Sequence, residues 1–348
     1  MPTSTRSASA PLESGYTELV AEIRRQGLLR PRHRYYLALA SLNIGGLVLV
    51  VMGLVLLHDS WWALLIAPAF AVVSTQIAFF SHDAAHRQIA RGKRAITALC
   101  LIQGNLLNGL SYGWWVAKHN AHHAHPNDLD SDPDVAVGAL VWDAGQAAER
   151  TGAVAWLTRH QAFLFVPMLT LEAVNLRVAS VRAVLADQVR HRRTEGLLLL
   201  AHFALYLTLL VSTLTWLQAL VFLIIHQAVF GLYLGSSFAP SHKGMPTLTP
   251  DQDSDPLLRQ VLSSRNVAGG RFLDLAMGGL NLQIEHHLFP SMPRANLRRA
   301  HPVIREHCRV RGISYAEASL FGSYATALGH LHAVGGGLRD AARTGPTL

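Results

Sequence analysis

The sequence contains three clusters of histidines whose spacing suits metal binding. They follow the patterns H-x-x-x-H, H-x-x-H-H and Q-x-x-H-H, and their members are His82, His86, His119, His122, His123, His286 and His287. Residues three and four positions apart share one face of a helix, so the imidazoles within a cluster can point at a common ion. Each cluster adjoins an apolar run long enough to enter a bilayer. The clusters therefore predict a metal site at a membrane surface.

The ligand types narrow the choice of metal. Neutral imidazole suits iron, copper, nickel and zinc. The chain has only two cysteines, Cys100 and Cys308, too few for an iron–sulfur cluster. With His242 added as a further candidate, more nitrogen ligands are available than one ion can coordinate. We therefore predict a pair of metal ions, and we expect them to be iron. A nitrogen-rich two-metal site at a membrane surface indicates O2 activation. The C–H bonds of a lipid-like substrate need such a strong oxidant, because an unactivated methylene group resists acid–base chemistry. No catalytic residue beyond the metal ligands is predicted.

The hydropathy pattern predicts an all-α integral membrane protein. Half of the 348 residues are apolar and only 15% are charged, whereas soluble domains carry about 25% charged residues. Four uncharged runs are long enough to cross the hydrocarbon core, at residues 36–57, 61–80, 197–216 and 217–235. Residues 95–110 are predicted to form a re-entrant or interfacial hairpin. Residues 152–193, interrupted by Pro167, are predicted to form amphipathic helices that lie on the membrane.

Charge and composition predict the domain organisation and the topology. We expect a tail and basic helix at 1–34, a membrane domain at 35–310 and a C-terminal tail at 311–348 with loose glycines. The N-terminus lacks the layout of a signal peptide. The short connections at 58–60 and 213–217 carry no Lys or Arg, and the positive-inside rule therefore places them outside. Both termini are then cytoplasmic, and the histidine clusters form a cytoplasmic cap.

The three clusters resemble the histidine boxes of the membrane fatty acid desaturase family. The resemblance rests on His82-x-x-x-His86, His119-x-x-His122-His123 and Gln283-x-x-His286-His287, and on the flanking segments HNAHHAHPN, FAPSHKGM and QIEHHLFP. It covers roughly residues 30–310. It implies a non-haem di-iron enzyme that uses O2 and two electrons to introduce a cis double bond into a fatty acyl chain, carried on coenzyme A or on a lipid. It also implies that His242 is the ligand supplied after the fourth span.

Two features depart from the common pattern of this family. The third box begins with Gln283, where many members have histidine, so the amide is expected to ligate weakly or to hydrogen bond a ligand. Asp83, Glu285 and a carboxylate of the acidic loop 128–134 are candidates to orient the histidines. No cytochrome b5, flavin or ferredoxin motif occurs. Electrons are therefore expected from a separate protein: a ferredoxin, a flavin or iron–sulfur reductase, or cytochrome b5.

Other functions fit parts of the pattern. A membrane hydroxylase or ketolase acting on alkanes, sterols or carotenoids would use the same iron site and differ in its product. A haem or metal-transport protein would place paired histidines inside the spans, whereas these clusters lie beyond the span ends. His125 is predicted to be a surface residue, and His226, inside the fourth span, fits a packed or a functional histidine equally well.

The positive net charge of the chain indicates which partners to expect. The net charge of +8 favours anionic head groups, a phosphorylated thioester carrier or an acidic electron donor. The acyl substrate is expected to enter from the membrane, and no nucleic-acid partner is predicted. The predicted location is a bacterial plasma membrane.

Overall fold

The computed structural model describes residues 14–246 and 248–344. Residues 1–13 of the predicted N-terminal tail and 345–348 of the C-terminal tail lie outside the described residues. The helices are α1 (Tyr16–Arg25), α2 (His33–Leu56), α3 (Ile66–Ala85), α4 (Lys93–Cys100), α5 (Tyr112–Ala124), α6 (Ala144–Ala148), α7 (Gly152–Arg159), α8 (Gln161–Leu169), α9 (Glu172–Leu185), α10 (Arg192–Thr213), α11 (Trp216–His242), α12 (Pro250–Ser254), α13 (Pro256–Leu262), α14 (Arg271–Ala276), α15 (Gln283–Leu288), α16 (Arg294–Val310), α17 (Leu320–Val334) and α18 (Gly336–Thr344). A 3-10 helix (Trp61–Leu65) precedes α3, and a π-helix (Leu101–Asn108) follows α4.

The all-α fold class is confirmed. Within the described residues, four helical segments are long and apolar enough to cross a membrane: His33–Leu56, Trp61–Ala85, Arg192–Thr213 and Trp216–His242. They overlap the four predicted spans, and the second and fourth helices continue past the predicted ends into the first histidine cluster and to His242. The strands in this part of the chain are β1 (Asn266–Ala268) and β2 (Glu317–Ser319), which pair in parallel.

The spans pack as two helical hairpins whose turns meet. The Asp59 backbone N–H donates to the carbonyl of Thr213 at 3.0 Å. Gln218 donates through Nε2 to the carbonyl of Asp59 at 3.0 Å. Because the two turns are joined, α3 and α11 run back together from the same side. Both helices therefore carry their C-terminal histidines, His82 and His242, to the opposite end of the bundle.

The core between the spans is aromatic. Phe70, Phe222 and Phe230 are buried between α3 and α11, and the ring of His226 stacks on Phe70 with a centroid separation of 4.6 Å. His226 also hydrogen bonds the hydroxyl of Tyr206 on α10 at 2.7 Å. Interhelical hydrogen bonds of this kind join membrane helices. The structure thus places His226 as a packed histidine that joins three spans.

The segment 152–193 contains a bent pair of helices. Pro167 lies inside α8, and the chain bends by 72° between α8 and α9. The pair is apolar enough for a broken span or a re-entrant loop, and its predicted place on the membrane surface stays a prediction. Gly231 of α11 explains the position of the bend. A Cβ atom there would lie 2.6 Å from the carbonyl oxygen of Leu169, so only glycine allows the bend to pack this closely on α11.

The C-terminal part is not the loose segment that its glycines suggested. Helix α17 packs on α8 and α11, and Leu331 is buried against Phe165 and Ala239. Gly335 approaches α7 closely, since a Cβ atom there would lie 2.8 Å from the carbonyl oxygen of Thr158. The glycine allows close packing between helices here instead of providing flexibility.

Candidate metal centre

Four structural elements bring the predicted histidines to one place. The end of α3, the last turns of α5, the end of α11 and the short helix α15 contribute His82, His86, His119, His122, His123, His242, His286 and His287. Helix α15 lies away from the spans in sequence. Its position is set by Asn266, whose Oδ1 accepts the Ile284 backbone N–H at 2.9 Å. All eight candidate ligands thus converge at the end of the bundle opposite the two turns.

The imidazoles fall into two groups. One contains His82, His86, His119, His123 and His286, and the other contains His122, His242 and His287. Within each group, one potential ligand atom per residue lies within 4.8 Å of all the others. The groups adjoin, because the rings of His123 and His287 stack with a centroid separation of 4.2 Å. The second histidine cluster is therefore divided between the groups.

The ring nitrogens are arranged as a cation would require. Among the described residues, the buried Nε2 atoms of His82, His286 and His287 have no hydrogen-bond partner. Nε2 of His119 lies 2.9 Å from Nε2 of His86 and 3.1 Å from Nε2 of His123. A neutral imidazole has one N–H donor and one acceptor, so such a convergence leaves lone pairs unsatisfied. Buried polar atoms are normally paired, and metal ions would satisfy these atoms.

The protonation state also suits metal binding. Burial, reinforced by the neighbouring imidazoles, holds the pKa values of His119, His286 and His287 well below the usual histidine value. Burial, followed by the proximity of His82, lowers the pKa of His86 in the same way. These rings are therefore neutral at neutral pH. Their lone pairs are available to a metal without the loss of a proton.

Carboxylates contact the Nδ1 atoms of two of the histidine rings. Nδ1 of His82 lies 3.2 Å from Asp83 Oδ1, and Nδ1 of His122 lies 2.9 Å from Asp132 Oδ2. Asp132 also accepts the backbone N–H groups of Asn127 and Asp134, each at 2.8 Å. A carboxylate on Nδ1 fixes the tautomer and directs Nε2 toward a metal. The acidic loop thus supplies such a carboxylate through Asp132.

Two further contacts to the histidine rings could not be predicted from the sequence. Nδ1 of His242 lies 3.2 Å from the carbonyl oxygen of Ser263. Nδ1 of His287 lies 2.8 Å from Oε1 of Gln260, whose Nε2 donates to the carbonyl of His123 at 2.8 Å. Both contacts come from α13 and the turn after it. No spacing rule links α13 to the histidine clusters, so only the fold shows these contacts.

The remaining candidates take different places. Nε2 of Gln283 lies 2.8 Å from Nε2 of His242, which puts the amide beside the three-histidine group. Glu285 is turned away from the predicted ligands. Its Oε2 accepts from Asn266 at 2.8 Å, and its other oxygen accepts from Tyr315, because successive residues of α15 point in different directions. His125 caps α5 and belongs to neither group.

A cavity of about 390 Å³ adjoins the histidines. Its lining includes His82, His119, His122 and His242, and much of its remaining wall comes from α3, α5, α9 and α11. Apolar residues dominate this wall, among them Phe79, Leu110, Trp115, Leu176, Leu234 and Phe238. The cavity can therefore hold an apolar chain with one part beside the candidate metal site.

Comparison with known proteins gives a consistent identity. The profile of the family described as "Fatty acid desaturase" matches residues 59–319. A Delta(8)-fatty-acid desaturase of Arabidopsis thaliana is 28% identical over 320 residues, covering 87% of this chain and 71% of that protein. A Delta(6)-fatty-acid desaturase of Caenorhabditis elegans is 27% identical, covering 91% and 74% of the respective chains. A Delta(5) fatty acid desaturase of the same nematode is 26% identical, covering 88% and 70%. With helices that could span a membrane and clustered histidines that could hold iron, the chain belongs to the fatty acid desaturase family of oxidoreductases.

Proposed function

We propose that the chain is a di-iron, O2-dependent desaturase that introduces a cis double bond into a fatty acyl chain. The observation that carries the proposal is the division of eight imidazoles into two adjoining groups with unpartnered, buried ring nitrogens. In this assignment the five-histidine group holds one iron ion. The three-histidine group holds the other, with Gln283 next to it. When bound, the iron pair would activate O2, which is reduced to two water molecules by two electrons and two protons from outside and by the two hydrogens removed from adjacent methylene groups of the acyl chain.

The residues of the chain position the substrate for this reaction. The apolar wall around Phe79, Leu234 and Phe238 binds the acyl chain and excludes water. His82, His119 and His122 lie where the cavity meets the candidate metal site. A methylene group held there is oriented toward the metals, and such positioning lowers the barrier of the step. Asp83 and Asp132 keep the histidine rings in place without contacting the substrate.

An acidic electron donor fits the surface beside the first cluster. His86 and His123 are half-buried. The stretch that follows His86 carries the exposed cations Arg87, Arg91, Lys93 and Arg94, and no Asp or Glu occurs between Ala84 and Lys118. Charge complementarity steers association between redox partners. The proposal therefore assigns reduction to a separate acidic protein, such as a ferredoxin or cytochrome b5.

The proposed topology places the histidine site and both termini on the cytoplasmic side. Its support is the pairing of the two turns, at Asp59 and Thr213, at the end of the bundle away from the histidines. Both native cysteines are buried, so introduced thiols report cleanly. In intact cells, a membrane-impermeant maleimide is expected to label His58→Cys and to label Arg94→Cys only after permeabilisation. Labelling of Arg94→Cys in sealed cells contradicts this topology.

Product analysis tests the proposed reaction. Cells that express the wild-type chain with a competent electron donor are expected to contain a new unsaturated fatty acid by gas chromatography–mass spectrometry. Cells that express His286→Ala are expected to lack it. Supplying the acyl group as a coenzyme A thioester or as a phospholipid to membranes identifies the carrier. An alcohol or ketone as the new product instead indicates a hydroxylase or ketolase, and an unchanged lipid profile contradicts the assignment.

A further inference from the structure

A second cavity adjoins the one that faces the histidines. Its volume is about 360 Å³, close to the 390 Å³ of the first. Its wall is formed by the loop that follows α5, by the residues after His242 and by one face of α17. The two cavities share Trp142, His242 and Lys243 as lining residues. These side chains therefore stand between a largely apolar cavity and a second cavity, both of which are lined by His242.

The dividing wall is an ordered cation–aromatic pair. Nζ of Lys243 lies 3.9 Å from the centroid of the Trp142 ring and donates to the carbonyl of Asp134 at 3.0 Å. The backbone of Trp142 is held on both sides. Its N–H donates to Gln146 at 2.8 Å, and its carbonyl oxygen lies 2.8 Å from Nε2 of His330 on α17. The ammonium group is thus held at a defined place where the two cavities meet.

The nearby carboxylates pair with other groups. Asp134 forms its ion pair with Lys118, Asp132 accepts from His122, and Asp143 accepts the Gln146 backbone N–H at the start of α6. Across the described residues, Lys243 forms no ion pair with any of these acids. An ammonium group has three N–H donors, and one carbonyl and one aromatic face leave it able to bind another oxygen acceptor.

We propose that Lys243 binds the polar end of the substrate, at the acyl carbonyl and the phosphate-bearing group attached to it. The acyl chain then extends through the first cavity past the histidines, and the head group occupies the second cavity. This inference rests on the proposed desaturase function and adds a positioning role to it. Lys243 directly follows His242, so the contact fixes the distance from the carbonyl to the candidate metal site. The position of the double bond is then counted from the carboxyl end.

The test compares double-bond positions in two acyl chains of different length. With the wild type, the double bond is expected at the same distance from the carboxyl carbon in both. Lys243→Met is expected to raise the KM for the acyl substrate by about tenfold to a hundredfold, the range of one charge-assisted hydrogen bond, and to spread the double bond over neighbouring carbons. Lys243→Arg keeps the cation and is expected to restore one main position. Arg305→Met removes an exposed cation of α16 that lies in no proposed site and serves as the control.

The possible results separate the role of Lys243 from the proposed desaturase function. Iron content measured on every purified variant shows whether the metal site is intact, since Lys243 is adjacent to His242. If Lys243→Met retains its iron and makes the wild-type product at the wild-type KM, the anchoring role is wrong while the desaturase assignment stands. If the wild type makes no unsaturated product, the proposed function itself fails. Coenzyme A thioesters and phospholipids are assayed separately, and the KM effect appears with whichever head group the second cavity holds.

Discussion

Replacing His286 with alanine is expected to abolish desaturation while the protein still inserts into the membrane. The His286 ring is central to the five-histidine group, with centroids 4.7 Å from His82, 4.8 Å from His86 and 4.9 Å from His123. Its buried Nε2 has no other partner in the described part of the chain. Loss of this nitrogen removes a ligand that no neighbouring residue replaces. Turnover is measured by product formation, and iron content by metal analysis of purified protein.

Two further histidines give this prediction its controls. His122→Ala is expected to be equally inactive, because His122 belongs to the three-histidine group. His125→Ala removes an imidazole from the same cluster that lies outside both groups, and most of the activity is expected to remain. Full activity in His286→Ala or His122→Ala would exclude the di-iron assignment. Loss of activity in His125→Ala would show that His125 is wrongly excluded from the metal ligands of the second cluster.

Replacing Arg294 with methionine is expected to destabilise the protein and weaken iron binding. Nε and Nη2 of Arg294 lie 2.8 Å and 2.7 Å from Asp83 Oδ2, and both side chains are at most 3% exposed. Removing the cation leaves a buried carboxylate without its counter-charge, which costs about 3–5 kcal/mol. Asp83 also holds Nδ1 of His82, and loss of such outer contacts lowers metal affinity by about 10–100-fold. Thermal unfolding in detergent and iron titration measure the two effects.

Arg298 provides the matched control. It pairs with Asp274 near the same end of α16, but its side chain is 41% exposed. Solvent-exposed ion pairs contribute about 0–1 kcal/mol, so Arg298→Met is expected to leave the melting temperature and the iron affinity nearly unchanged. Equal effects of the two substitutions would mean that the buried pair of Arg294 and Asp83 contributes no more than an exposed ion pair. The double variant Asp83→Asn, Arg294→Met is expected to recover part of the lost stability, because it also removes the unpaired charge.

Local patterns were sufficient for the spans and for the list of candidate histidines. Hydrophobic runs report on helices long enough to cross a membrane, and the spacings at His82 and His119 report on one face of a helix. Pro167 shows where local patterns fail. Helix α8 continues past Pro167 to Leu169 before the chain bends, and Gly231, in a distant helix, leaves room for the bend to pack closely. Gly335 was misread for the same reason, since its effect depends on the close approach of α7.

The sequence alone was enough to predict eight candidate imidazole ligands and to locate four apolar spans, because residue type and periodicity are local properties. Only the tertiary structure divided His122 from His123 between the two groups, since the end of α3 meets His123, the end of α11 meets His122, and α15 supplies one histidine to each group. It also revealed Gln260 behind His287 and placed Lys243 on Trp142. These contacts join residues far apart in the chain, and their distances are set by the packing of whole helices, which no short pattern encodes.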